Sequence, residues 1–256
     1  MAETDTLEFL IRKLERHTTL PEADRRAILD LPVHARSVPP ATYLVREGEP
    51  PANCVILSSG FAFRHKIVES GARQIVSLHL PGDALDFQSL FLRYADHNAQ
   101  TLTRADLAVV PIAAMRELVS TRPLVARAVL MDLLIEASIL REWVVNVGRR
   151  NARARLAHLL CEFAVRLGDE GMTPEQAYHI PMTQHQIGDA VGLSPVHVNR
   201  VLRKFSDEGI LKKKGSLVQF LKWDKLQDVA GFNRRYLHVG DFVDGVDLRD
   251  DAGHQR

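Results

Sequence analysis

Hydrophobic positions change their spacing along this chain, and each change marks a different kind of element. Near the start, Leu7, Leu10, Ile11 and Leu14 recur at helical intervals, and Pro21 opens a second short helical pattern, PEADRRAILDL. These helices of residues 1–30 read as a packing cap on the next domain. From about Val33 to Val110 the texture becomes short β-branched runs cut by turns. Thr42-Tyr43-Leu44-Val45 is followed by Glu47-Gly48-Glu49-Pro50, and Cys54-Val55-Ile56-Leu57 by Ser58-Ser59-Gly60. The runs from Phe61 to Ile67 and from Gln74 to Leu80 end at Glu69-Ser70-Gly71 and Pro81-Gly82-Asp83. Short strands at regular spacing predict an antiparallel barrel or jelly roll over residues 31–120. Alternation around Phe61, Phe63 and Ile75 predicts a half-buried sheet.

The next segment, residues 121–150, reads as one long helix. Ala126, Leu130, Leu133, Ala137, Leu140, Val144 and Val147 alternate spacings of four and three. That 3.5-residue repeat is a coiled-coil seam, and it predicts a homodimer through this helix. The two alanines let the helices approach closely. Leu134, Ile135 and Trp143 lie off the seam and are available to pack on the barrel. Residues 151–170 predict a further helix with Leu156, Leu159, Leu160, Phe163 and Leu167 inward, stopped by Glu170-Gly171.

The stretch MTQHQIGDAVGLSPVHVNRVLRKF, residues 182–205, has the form of a helix-turn-helix. Gly192 allows a sharp turn after the first helix, Ser194 offers a capping oxygen, and Pro195 suits the first position of the second helix. Gly188 leaves room for the second helix to approach. Val196, His197, Asn199, Arg200, Arg203 and Lys204 crowd that second helix with groups able to touch bases or phosphates, and Thr183 and Gln184 head the first. Lys212-Lys213-Lys214-Gly215-Ser216, between Ile210-Leu211 and Leu217 to Leu221, predicts a hairpin wing with a basic tip. A short helix comes next at residues 223–232 and closes a winged domain over 151–232. The Asp- and Gly-rich residues 233–256 read as a disordered tail. The fold class is therefore α+β: an N-terminal antiparallel jelly-roll barrel, a long dimerisation helix and a C-terminal winged helix-turn-helix domain.

The net charge of +1 across 256 residues says nothing about nucleic acid, but its distribution does. Residues 149–225 hold 13 Lys/Arg against 8 Asp/Glu, whereas residues 1–148 hold 16 against 18. The basic excess sits on the helix-turn-helix region, where phosphate binding needs it. Cys54 and Cys161 stand far apart in no zinc or iron–sulfur spacing. No apolar run has the length of a membrane span, and the charged N-terminus is unlike a signal peptide, so a cytoplasmic protein is expected. His65, His79 and His97 lack the His-x-His pairing of a cupin metal site, and no nucleophile elbow or phosphate loop is present, so no enzyme is expected. A ligand-binding or enzymatic cupin-type barrel with an appended helical domain is the alternative.

A small-strand barrel, a heptad helix and a winged helix-turn-helix, in that order, resemble the Crp/Fnr family of bacterial transcriptional regulators. Residues 43–50, Pro81-Gly82-Asp83 and the run from Gly192 to Arg200 carry the resemblance. It implies a homodimer on a two-fold operator of double-stranded DNA, with RNA polymerase as a further partner. Cyclic-AMP-binding members place a Gly-Glu pair and then an Arg-Ser pair after the Gly-Asp. Counting from Gly82-Asp83, this chain has Asp86-Phe87 and His97-Asn98 there, and Leu140 and Arg141 fall where the dimer helix offers polar groups to adenine. A neutral His and a Phe replace the phosphate and ribose partners, so control by cyclic AMP is not expected, and no other effector or cofactor is indicated. His97 reads alternatively as a surface residue beside Asp96. Oxygen-sensing members hold a cluster through N-terminal cysteines, and none stands before Cys54. The family's base-reading Arg is matched by Arg200 and a backbone-contacting basic position by Arg203, whereas Pro195 and Val196 depart from its Arg-Glu or Val-Glu pattern. The operator is therefore expected to differ from the family's usual half-site.

Overall fold

The computed structural model describes residues 3–16, 18–168 and 177–238. Two helices, α1 (Glu3–Glu15) and α2 (Glu22–Leu29), lead into the strands β1 (His34–Val38), β2 (Tyr43–Val45), β3 (Asn53–Ser59), β4 (Ala62–Ile67), β5 (Arg73–His79), β6 (Asn98–Thr101) and β7 (Ala105–Pro111). These form two antiparallel sheets, ordered β1-β7-β3 and β2-β6-β4-β5. A 3-10 turn, Phe87–Leu90, interrupts them. Helices α3 (Ile112–Thr121), α4 (Pro123–Arg149) and α5 (Ala152–Gly168) follow. The last region holds β8 (Ala177–His179), α6 (Gln184–Val191), α7 (Pro195–Asp207), β9 (Leu211–Lys214), β10 (Leu217–Phe220), α8 (Trp223–Ala230) and a 3-10 turn, Arg234–Leu237.

Leu7, Leu10, Ile11 and Leu14 of α1 are buried together with Cys54, Ile56 and Phe87, so the N-terminal helices do cap the barrel. The sheet containing β4 is not half-buried as the alternation suggested. Ala62 packs in the barrel interior with Leu57, Leu85 and Leu107, while Phe63 faces out into a core shared with α5, α6 and α7. Both faces are covered, and Arg64 and His65 are buried with them.

Helix α4 divides its faces. Val125, Ala128, Val129, Ile135 and Trp143 turn inward. Leu130 and Leu134 are 54 % exposed, Leu140 36 % and Val144 69 %. The seam residues Ala126, Leu133, Ala137 and Val147 lie half-buried between these two faces. Ile135 and Trp143 pack inward as anticipated, but Leu134 instead joins the solvent-facing stripe.

Helix α5 ends at Gly168, and the stop anticipated at Glu170-Gly171 lies outside the described residues. Residues 233–238 are not a disordered tail. Asn233 accepts from Arg235 N at 3.0 Å to cap the last 3-10 turn, and Leu237 is buried. Residues 239–256 lie outside the described part.

Candidate nucleic-acid interface

Local sequence dictates the two helices of the reading unit. Thr183 Oγ1 accepts from Gln186 N at 3.2 Å, and Gln186 Oε1 accepts from Thr183 N at 2.8 Å, a reciprocal capping box that starts α6. Gly192 ends α6 at φ 65°, where a Cβ would be strained. A Cβ on Gly188 would lie 2.4 Å from Leu193 O, so only glycine admits the turn this close. Ser194 Oγ then accepts from His197 N at 3.3 Å, with Pro195 in the first turn of α7.

Helix α7 buries Val198, Val201, Leu202 and Phe205. That choice turns Val196, Asn199, Arg200, Arg203 and Lys204 outward; His197 is half-buried. Val196 is 71 % exposed, an apolar group in water. No described carboxylate forms an ion pair with Arg200, Arg203 or Lys204. Glu208, just past the helix, is instead taken by Arg153 of α5 in two contacts of 2.5 Å. The Glu208 charge is thereby answered by α5 rather than by the α7 cations.

The wing is a three-stranded sheet ordered β8-β10-β9, one strand more than the hairpin anticipated. Strand β8 is only three residues long, too short to leave an alternating pattern. Lys213 pairs with Val218 and Lys214 with Leu217 across the turn, and Lys212, Lys213 and Lys214 are all exposed. Lys213 Nζ donates to Gly215 O at 2.5 Å, which holds one ammonium over the tip. The reading unit is fixed to the barrel by Arg73 Nε, 2.8 Å from Asp189 Oδ2 of α6, and by Gln74 Nε2, 3.2 Å from Ala190 O.

The residues anticipated as a remnant effector pocket are not assembled into one site. Phe87 is buried in the core under α1. Asp86 is buried and accepts from Ser89 Oγ. Asn98 Oδ1 is engaged by Glu47 N at 3.2 Å. Leu140 and Arg141 face solvent on α4. His97 is buried rather than a surface residue, with Nδ1 2.9 Å from Asp96 Oδ1 and 3.0 Å from Gln88 Nε2. Burial, and then Arg64, lower its pKa, which keeps the ring neutral.

The barrel buries a cation that sequence reasoning missed. Arg64 of β4 donates to Leu85 O through Nε at 2.8 Å and Nη2 at 2.6 Å, and its third nitrogen pairs with Glu136 of α4. Beside it, Lys13 Nζ lies 2.8 Å from Asp83 Oδ1, and Arg166 Nη2 of α5 lies 3.0 Å from Asp83 Oδ2. Burial opposes ionisation of Asp83, yet Lys13 and Arg166 hold its carboxyl far below the usual carboxylate range. Burial raises Glu136, against Arg64. The cavity between Lys13, Asp83, Glu136 and Arg166 measures about 40 Å³ and is lined also by Ser77, His79 and Asp132. Small-ligand sites occupy roughly 300–1,000 Å³, so this is room for water, not for a nucleotide. Cys54 and Cys161 are buried thiols, the first pushed up to about 12 by burial, so neither is a reactive thiolate. Among the described residues, no cluster of three His, Cys, Asp or Glu is arranged to hold a metal ion.

Comparison with known proteins matches residues 154–229 to a Crp-like helix-turn-helix domain and residues 35–122 to a cyclic nucleotide-binding domain. The chain is 26 % identical over 188 residues to the electron transport regulator A of Shewanella oneidensis, covering 73 % of this chain and 75 % of that protein. It is 25 % identical over 191 residues to the fumarate and nitrate reduction regulatory protein of Escherichia coli, covering 75 % and 76 %. The solved structure of FixK2 from Bradyrhizobium japonicum superposes with a TM-score of 0.72 at 22 % identity, over 79 % of this chain and 100 % of that one.

Proposed function

Taking as premise that the chain belongs to the Crp/Fnr family of transcriptional regulators, whose helix-turn-helix binds DNA, we propose that it acts as a homodimer on a two-fold operator and without cyclic AMP. One observation carries the dimer: α4 presents Leu130, Leu134, Leu140 and Val144 to water on the side away from the barrel. A second copy in parallel register covers that stripe and brings two α7 helices to half-sites about one DNA turn, roughly 34–36 Å, apart. Sedimentation tests it. The parent sediments as a dimer, and Leu130→Glu together with Val144→Glu sediments as a monomer; a monomeric parent contradicts the reading.

On each half-site, Arg200 makes the bidentate contact to guanine, Asn199 is placed for adenine and Val196 for a thymine methyl. His197 adds a contact at the start of the helix, which Pro195 orients. Ser194, Thr183, Gln184, Arg203 and Lys204 hold the phosphates on either side, and Lys212, Lys213 and Lys214 follow the backbone outward. The Arg64–Glu136 pair supports independence from cyclic AMP, because it joins the barrel to α4 with the protein's own cation and carboxylate. The bound dimer acts on RNA polymerase in the cytoplasm, where its DNA is. No helix is long and apolar enough to cross a membrane among the described residues.

A further inference from the structure

We infer that the C-terminal segment 230–237 is a strap that fixes the angle between the dimer helix α4 and the reading domain, with Tyr236 and Glu162 as its positioning residues. The inference rests on the dimeric reading above. Only Arg150 and Asn151 separate α4 from α5, and the corner's own bonds, Arg155 Nε to Arg150 O at 2.8 Å and Asn146 Nδ2 to Arg155 O at 3.3 Å, are few. The chain has completed its wing by Phe220 and α8 by Ala230, and it then folds back over this corner rather than toward α7.

Four contacts of the segment, through Ala230, Phe232 and Tyr236 (which makes two), make the fold-back a brace. Glu162, on α5, is 1 % exposed. Its carboxylate accepts from Trp143 Nε1 of α4 at 3.0 Å and from Tyr236 Oη of the strap at 2.8 Å. One buried carboxylate thus joins the dimer helix, the first helix of the reading domain and the C-terminal turn. Arg166, one turn along α5, stands 3.8 Å from the same carboxylate and donates to Leu78 O of the barrel at 2.9 Å. At the corner, Arg150 Nε donates to Ala230 O at 3.2 Å while Nη2 meets Glu142 Oε1 at 2.6 Å. The ring of His158 is held between Tyr236, stacked at 5.7 Å, and Phe232, edge-on at 5.3 Å.

A buried acceptor with donors from separate elements tolerates little change in their relative placement, because a donor that swings away leaves a charge unsatisfied. A change of angle at the corner carries α7 with it, because α7 packs on α5 through Arg153 and Phe205. Together with the Arg73–Asp189 contact between barrel and α6, the strap therefore sets the separation of the two reading helices in the dimer before DNA arrives. This is pre-organisation, and it favours one half-site spacing.

The test is a pulsed spin-label distance measurement between the two copies of the full chain, free of DNA. The label is attached through Val196→Cys on the exposed start of α7; Cys54 and Cys161 are buried and stay unlabelled. A single narrow distance is expected with the strap intact. Tyr236→Ala in that background gives a broad distribution, and Tyr236→Phe, which keeps the ring and loses one donor, an intermediate one. A merely structural role lowers the melting temperature of these variants and leaves the distance narrow, and that result overturns the inference. A broad distribution with Tyr236 intact overturns it too. Absence of any intermolecular distance instead removes the dimer, and so the proposed function, which separates the two failures. Tyr236→Phe serves alone if the alanine variant does not fold.

Discussion

Arg64 and Arg200 show two uses of the same side chain. Arg64 lies in the barrel with every nitrogen engaged, two on Leu85 O and one on Glu136. Arg200 stands on α7 in water, without an ion-pair partner among the described residues. The contrast extends to their surroundings. Around Arg64, charge is buried and answered within the chain by Lys13, Asp83 and Arg166. Beyond the end of α7, the carboxylate of Glu208 is paired with Arg153. A cation that is satisfied internally is structure, and a cation left in water on the second helix of the helix-turn-helix is the one we propose as a reader. Both regions are rich in charge, and composition does not tell them apart.

The largest way to break the comparison is to unpair the interior. Arg64→Met leaves Glu136 without its partner, and removing one member of a buried pair costs about 3–5 kcal/mol. Denaturant unfolding should show a loss of that order, and the DNA sequence preferred by the folded fraction should not change. A stable variant with altered preference would make Arg64 part of the reading machinery.

Acid attacks buried histidines, His65 in the barrel and His158 at the α4–α5 corner. Burial lowers His65 from 6.5 to about 4, and burial with Arg150 lowers His158 from 6.5 to about 3. Their folded values lie below the unfolded one, so the stability they contribute is complete above pH 6.5 and is lost as pH falls toward those values. Glu142 lies 3.3 Å from His158 and does not reverse the shift. The raised carboxyls of Glu136 and Glu162 act in the opposite sense. Melting temperature should therefore fall from pH 7 to pH 5, and the fall should be shallower in His158→Phe. An unchanged slope would place His158 outside the titrating set.

A smaller effect, and one confined to the reader, is expected from Arg200→Ala. It should cost about 1–3 kcal/mol in discrimination at one guanine, with no change in melting temperature. Equal loss on all sequences, seen by competition against scrambled DNA, would move Arg200 to the phosphates. Smallest is Lys213→Ala, which should weaken every sequence alike and lower the slope of log affinity against log salt by about 1. A loss confined to one sequence would contradict its backbone role.

The two regions were also unequally legible. Gly192, Ser194 and Pro195 declare the turn and the start of α7 because a helix cap is decided by adjacent residues. The heptad of α4 shows for the same reason, as a periodicity within one element. The barrel interior does not show, because its contacts join distant parts of the chain. Arg64 meets Glu136 across 72 residues and Arg166 meets Asp83 across 83. Glu136 sits between apolar neighbours with nothing local to mark it as buried. Strand β6, Asn98–Thr101, is too polar to read as a strand and forms because β2 and β4 flank it. The 3-10 turn at Arg234–Leu237 has a charged sequence and is ordered by Glu162, far upstream.

The central claim is a dimeric DNA reader whose barrel needs no cyclic nucleotide. Operator selection from random DNA with the purified full chain, with and without added cyclic AMP, tests it most directly. The account predicts one palindromic motif, identical in both conditions. A motif that appears only with cyclic AMP would contradict it, and would mean that the Arg64–Glu136 pair opens to admit the nucleotide.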